Sequence, residues 1–164
     1  MINKLLIIFF LFFFNSLKAE FKEQIILNLK NTKNLAFDFK QQIKDEVESG
    51  KCIIEYPKKI WCEYNFLNNK IMISNGKSLV IKNDNVNQYY LYPLSSTPLE
   101  LILDKNYMIK KIKKLESRNI DDKYVNFTIN DDNFKINFFF DKKTLYLTGW
   151  QTEDIYQNLV VTFI

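Results

Sequence analysis

The sequence predicts a mainly β (α+β) domain: one antiparallel sheet of about eleven strands, curled into an incompletely closed barrel, with an N-terminal helix and a short lid helix. Three observations carry that prediction. Apolar and polar residues alternate with period two along most of the chain, the mark of half-buried strands. Turn signals such as Pro57-Lys58, Asn75-Gly76 and Asp131-Asp132 separate these runs. An open, twisted sheet of this size tends to curl.

The N-terminal residues read as a targeting segment. Lys4 precedes a ten-residue apolar run, Leu5 to Phe14, which is followed by Asn15-Ser16-Leu17-Lys18-Ala19. A positive start, a short apolar stretch and a small residue at the end form a secretory signal peptide. The run falls short of the roughly 20 residues that span a bilayer. We expect cleavage after Ala19, leaving one domain over residues 20–164; an uncleaved anchor is the alternative. In a double-membraned bacterium the product is soluble and periplasmic. Loss of Lys4 and Lys18 lowers the formal charge from +4 to +2, and the remaining lysines are dispersed. There is no electrostatic footprint for nucleic acid.

The elements follow in order. Phe21, Ile25 and Leu29 recur every four residues and predict an amphipathic helix over Glu20–Lys30. Leu35, Phe37 and Phe39 alternate with polar neighbours as the first strand. Gly50–Tyr56 and Lys59–Tyr64 form a hairpin about Pro57-Lys58. Lys70–Ser74 and Ser78–Lys82 flank Asn75-Gly76, a strong hairpin signal, and Gln88–Tyr92 follows. Beyond the lid, Ile109–Ile120, Tyr124–Asn130, Phe134–Phe140, Thr144–Gln151 and Leu159–Ile164 complete the strands.

The lid is predicted at Tyr92-Pro93-Leu94-Ser95-Ser96-Thr97-Pro98-Leu99-Glu100-Leu101-Ile102-Leu103. Thr97 can N-cap, Pro98 suits the first helical position, and Glu100 completes a capping box. Leu99, Ile102 and Leu103 then share one face. A helix this short is marginal alone and must lie on an apolar surface.

Alternation also chooses an inner face. Lys51, Glu55, Lys59 and Glu63 should point outward, which leaves Cys52, Ile54, Tyr56, Ile60, Cys62 and Tyr64 inside. If the hairpin pairs symmetrically about Pro57, Cys52 faces Cys62 and a disulfide can form; a shift of one residue undoes it. Phe37, Phe39, Ile54, Ile60, Ile73 and Leu79 either line a cavity or fill a solid core. Fifteen Phe and nine Tyr exceed what a small core usually needs.

Chemistry is sparse. With no histidine, Ser-His and Cys-His nucleophiles and the commonest metal ligand are gone. Two cysteines without further Cys or His make no zinc site. Asp121-Asp122 and Asp131-Asp132 are ordinary turn residues. We therefore expect no catalytic residues, no metal and no cofactor.

Several segments resemble the periplasmic outer-membrane lipoprotein carrier family (LolA-type). They are Phe39-Lys40-Gln41, Gly50 through Tyr56-Pro57, Trp61-Cys62-Glu63-Tyr64, Ser74-Asn75-Gly76-Lys77-Ser78-Leu79 and Pro93-Leu94-Ser95-Ser96-Thr97-Pro98-Leu99. The resemblance implies an unclosed barrel whose helices close over an apolar cavity, lined here by Phe37, Phe39, Ile54, Tyr56, Ile60, Tyr64, Ile73 and Leu79. It implies acylated lipoproteins as cargo, an inner-membrane ATP-driven exporter as donor and an outer-membrane receptor as acceptor. A monomer without cofactor is expected. Many family members carry Arg before the hairpin proline as a lid gate, whereas this chain has Tyr56. The competing reading is an exported β-rich scaffold or interaction module with a filled core and no lipid cargo.

Overall fold

The computed structural model describes residues 20–65, 69–83, 85–154 and 157–164. The expected signal peptide at 1–19 lies outside the described residues. A helix, α1 (20–31), comes first. Six strands follow: β1 (Asn34–Ile43), β2 (Glu46–Glu55), β3 (Lys59–Tyr64), β4 (Lys70–Asn75), β5 (Ser78–Asn83) and β6 (Gln88–Pro93). A 3-10 turn at Leu94–Ser96 leads into α2 (Leu99–Ile102) and α3 (Lys105–Ile112). The chain then resumes β structure in β7 (Arg118–Ile120), β8 (Tyr124–Asn130), β9 (Lys135–Asp141), β10 (Leu147–Glu153) and β11 (Leu159–Phe163).

All eleven strands form one antiparallel sheet in the order β6-β5-β4-β3-β2-β1-β11-β10-β9-β8-β7. The sheet is open, as expected, and not a closed barrel: its edges β6 and β7 do not pair. Topology explains the position of the lid. The segment carrying α2 and α3 joins β6 to β7, the two ends of the sheet order, so it must cross the inner face.

Two glycines let the sheet bend. A Cβ on Gly50 would sit 2.1 Å from the Glu63 carbonyl oxygen, and one on Gly149 would sit 2.5 Å from that of Thr162. Backbones approach this closely only where a side chain is missing. Aromatic rings on the flanking strands close over both gaps. Phe39 and Tyr64, the register partners of Gly50, meet edge to face at 5.0 Å. Phe139 and Phe163, the partners of Gly149, lie 5.9 Å apart on the other face.

Three sequence expectations need correction. Ile109–Ile120 is not one strand: its first residues belong to α3. Asp104 caps that helix by accepting from the Tyr107 N–H at 2.9 Å, and Met108, Ile109 and Ile112 are buried on one face. Thr97 and Glu100 form no capping box. The Thr97 hydroxyl donates to the Leu94 carbonyl, closing the 3-10 turn, while Glu100 is drawn to a lysine. Ile73 is not on the inner face. It pairs with outward Trp61, and Ser74 pairs with inward Ile60; Ile73 is 42% exposed while Ser74 is buried.

Candidate functional site: the lidded inner face

The inner face carries two apolar clusters. One joins α1 and α3 to β8, β9 and β10 through Ile25, Leu29, Met108, Phe127, Phe138 and Trp150. The other gathers Phe39, Cys52, Ile54, Ile60, Cys62, Tyr64 and Leu79 beneath Leu94 and Leu103. Of the expected lining residues, Phe39, Ile54, Ile60, Tyr64 and Leu79 are brought together in this second cluster, with Phe37 and Tyr56 packed against it. Phe37 bridges the halves, meeting Trp150 edge to face at 6.2 Å.

The lid sits on the seam. Ile102 belongs to the first cluster, Leu103 to the second, and Leu99 packs against both. Lifting α2 would therefore open the boundary between them. A small, partly open cavity of about 30 Å³ lies under α1, lined by Leu29, Leu35, Tyr56, Phe140, Leu145 and Leu147 among others. That is room for one water, far below the roughly 300–1,000 Å³ of ligand pockets. An open groove of about 520 Å³ lies beside Phe39, Gly50, Phe163 and Ile164, with Asp38, Lys40 and Lys51 among its other lining residues. Among the described residues, the side chains of the two clusters beneath Leu99, Ile102 and Leu103 are packed against one another.

Few polar contacts hold the lid. Lys58, at the tip of the β2–β3 hairpin, adopts φ +66° after the cis Tyr56–Pro57 bond. Its N–H donates to the Leu103 carbonyl at 2.9 Å. Its ammonium pairs with Glu100 and lies 3.7 Å from Asp104. The bond to Glu100 is the main cause that holds the Lys58 pKa above its ordinary value. Ser74 steadies the hairpin tip, its hydroxyl donating to the Lys58 carbonyl at 2.9 Å. From the other side, the Lys105 ammonium donates to the Thr32 and Lys30 carbonyls at 2.6 and 3.2 Å, tying α3 to the end of α1. It also lies 5.5 Å from the centroid of the Tyr56 ring. Burial pushes the Tyr56 phenol up to about 12.

Tyr56 stands before the hairpin proline, and the charge that meets the lid segment stands two residues on, at Lys58. Sequence reading missed both Lys58 and Lys105. The available signal was Glu100 and Asp104 at helical spacing on a lid otherwise lacking charge.

The Cys52–Cys62 disulfide is present, with Cα atoms 4.1 Å apart. The register is symmetric about Pro57, as the pairing required. Among the described residues no group of His, Cys, Asp and Glu could hold a metal ion. Buried polar side chains among them are Ser74, Asn126, Thr152 and Thr162, scattered along the sheet and not convergent on a cleft.

Residues 30–163 match the family profile described as "Outer membrane lipoprotein carrier protein LolA". Among solved structures, a LolA superfamily protein from Nitrosomonas europaea aligns at 10% identity and TM-score 0.41, covering 86% of this chain and 90% of its own. A DUF1329 family protein from Desulfovibrio piger aligns at 7% identity and TM-score 0.45, covering 90% of each chain. A domain described as an outer membrane lipoprotein-sorting protein, from Vibrio parahaemolyticus, aligns at 10% identity and TM-score 0.44, covering 91% of this chain and 77% of its own. No curated protein matches the sequence.

Proposed function

We propose that this chain, which belongs to the outer membrane lipoprotein carrier (LolA) family, takes the acyl chains of lipoproteins into the inner face of its sheet when α2 lifts. It receives them from an inner-membrane ATP-driven exporter, shields them across the periplasm and passes them to an outer-membrane receptor. It does so without enzymatic chemistry.

The observation that carries this reading is the seam beneath Leu99, Ile102 and Leu103. Uncovering those three side chains costs about 5–9 kcal/mol, at 1.5–3 kcal/mol each. One sixteen-carbon acyl chain buried in their place contributes up to ~13 kcal/mol, at about 0.8 per methylene. Cargo binding therefore exceeds lid opening by a modest margin. That margin matters, because a carrier must also let go.

The small size of the cavity under α1 favours the second reading, a scaffold whose core stays filled. One experiment separates them. The protein purified after export is mixed with a triacylated lipoprotein or its non-acylated form, and complexes are resolved by size exclusion. A soluble complex with the acylated form alone supports the carrier; binding of neither, with no uptake of an apolar dye, supports the scaffold.

A further inference from the structure

The two edges of the open sheet are built differently. β7 has three residues and carries Arg118, so it is short and charged, a poor template for further pairing. β6 has six residues and no charge, and every one is exposed. Tyr89, Tyr90 and Leu91 are 73%, 46% and 63% exposed. The surrounding fifteen residues, 85–99, contain no charged side chain in a chain that is 26% charged. Apart from Pro93 at its end, the edge has none of the usual guards against pairing.

The outer face leads to the same place. Ile53, Trp61, Ile73, Val80 and Leu91 are successive register partners across β2 to β6. They form one apolar row that ends at this edge. On the inner side Tyr90 and Tyr92 stack at 6.5 Å.

We propose that β6 pairs antiparallel with β6 of a second copy about a two-fold axis, Tyr90 opposite Tyr90. Under such an axis Tyr90 meets itself and its neighbours meet residues of the same strand, so charges of one sign there would repel; β6 has none. The register follows from the hydrogen-bond pattern. Leu94 donates its N–H to the Lys77 carbonyl at 2.8 Å, on the β5 side. Alternation along the strand then turns the backbone groups of Tyr89 and Leu91 to the open side. Pairing Tyr89 with Leu91 of the second copy satisfies them, and Tyr90 meets Tyr90 in the close, non-hydrogen-bonded position. The outer rows of the two copies become continuous through Leu91 and Tyr89. Because Pro93 runs directly into the 3-10 turn and lid, the junction lies beside the inner face, and each copy extends the other's aromatic wall. The sequence-based expectation of a monomer does not register this edge, because nothing in a single strand's alternation says that it is terminal in the sheet.

Sedimentation velocity on the exported protein over a wide concentration range tests the proposal. A concentration-dependent dimer is expected. Tyr90→Lys and Leu91→Lys each weaken it about tenfold or more by placing ammonium groups across the axis. Their far-UV circular dichroism stays unchanged, since both side chains are exposed. Tyr90→Cys gives a covalent dimer under oxidising conditions, because close antiparallel partners lie within disulfide reach; Val86→Cys does not. A protein that is monomeric throughout overturns the proposal. So does a dimer that survives both lysine variants or fails to cross-link through Tyr90→Cys.

Discussion

Lys58 of the β2–β3 hairpin grips Glu100 of the lid in an ion pair, while its own N–H holds the Leu103 carbonyl at 2.9 Å. The first contact depends on the side chain and the second does not. Both side chains of the pair are partly exposed, so the pair is worth about 0.5–1 kcal/mol and is screened by salt.

Lys58→Met therefore speeds lid opening about two- to fivefold and leaves global stability within about 1 kcal/mol. Stopped-flow uptake of an apolar dye checks this. In the parent protein uptake accelerates with salt; in the variant that dependence disappears.

The disulfide closes an eleven-residue loop, from Cys52 to Cys62. Replacing both cysteines by Ala lowers stability by about 3 kcal/mol on the loop-entropy estimate. Urea unfolding monitored by Trp fluorescence reads the shift.

The inner and outer faces of one strand pair give opposite results. Ile60→Ala removes a buried side chain and costs about 2–5 kcal/mol. Ile73→Ser, on the exposed face, stays within about 0.5 kcal/mol. Equal costs would mean that the face assignment is wrong.

Gly50→Ala pushes a methyl into the Glu63 carbonyl and the Phe39 ring. It costs about 3 kcal/mol or more, again measured by urea unfolding.

Tyr56 sets an alkaline limit. Its pKa is raised from 10.0 to about 12 by burial, so the folded state holds the phenolic proton more tightly than the unfolded chain does. The resulting stability is complete below pH 10 and is lost as pH rises from about 10 to about 12, at about 1.4 kcal/mol per unit. Tyr56→Phe removes this contribution. Stability measured across that pH range should fall less steeply in the variant.

Much of the fold was legible because strands advertise themselves. The alternation about Pro57 set both the inner face and the Cys52–Cys62 pairing, and Ile54, Ile60 and Tyr64 arrived where it placed them. The failures have local causes. Ile73 and Ser74 are adjacent, so choosing by hydrophobicity instead of register selects the wrong face. Ile109 and Ile112 suit strand and helix alike, and the Asp104 cap decided the matter. Lys58 was invisible as a latch because its acidic partners lie 42 and 46 residues away in sequence, brought close only by the crossing of the β6–β7 connection.

In the proposed carrier, cargo lies under the lid and not on the outer face. A photo-reactive phenylalanine analogue replaces Leu99, on the underside of the lid, or Ile73, on the outer face, and each protein is irradiated with a triacylated lipoprotein. The account predicts adducts from position 99 that require the acyl chains, and none from position 73. Adducts from position 73 alone, or from position 99 with the non-acylated form as well, would contradict it.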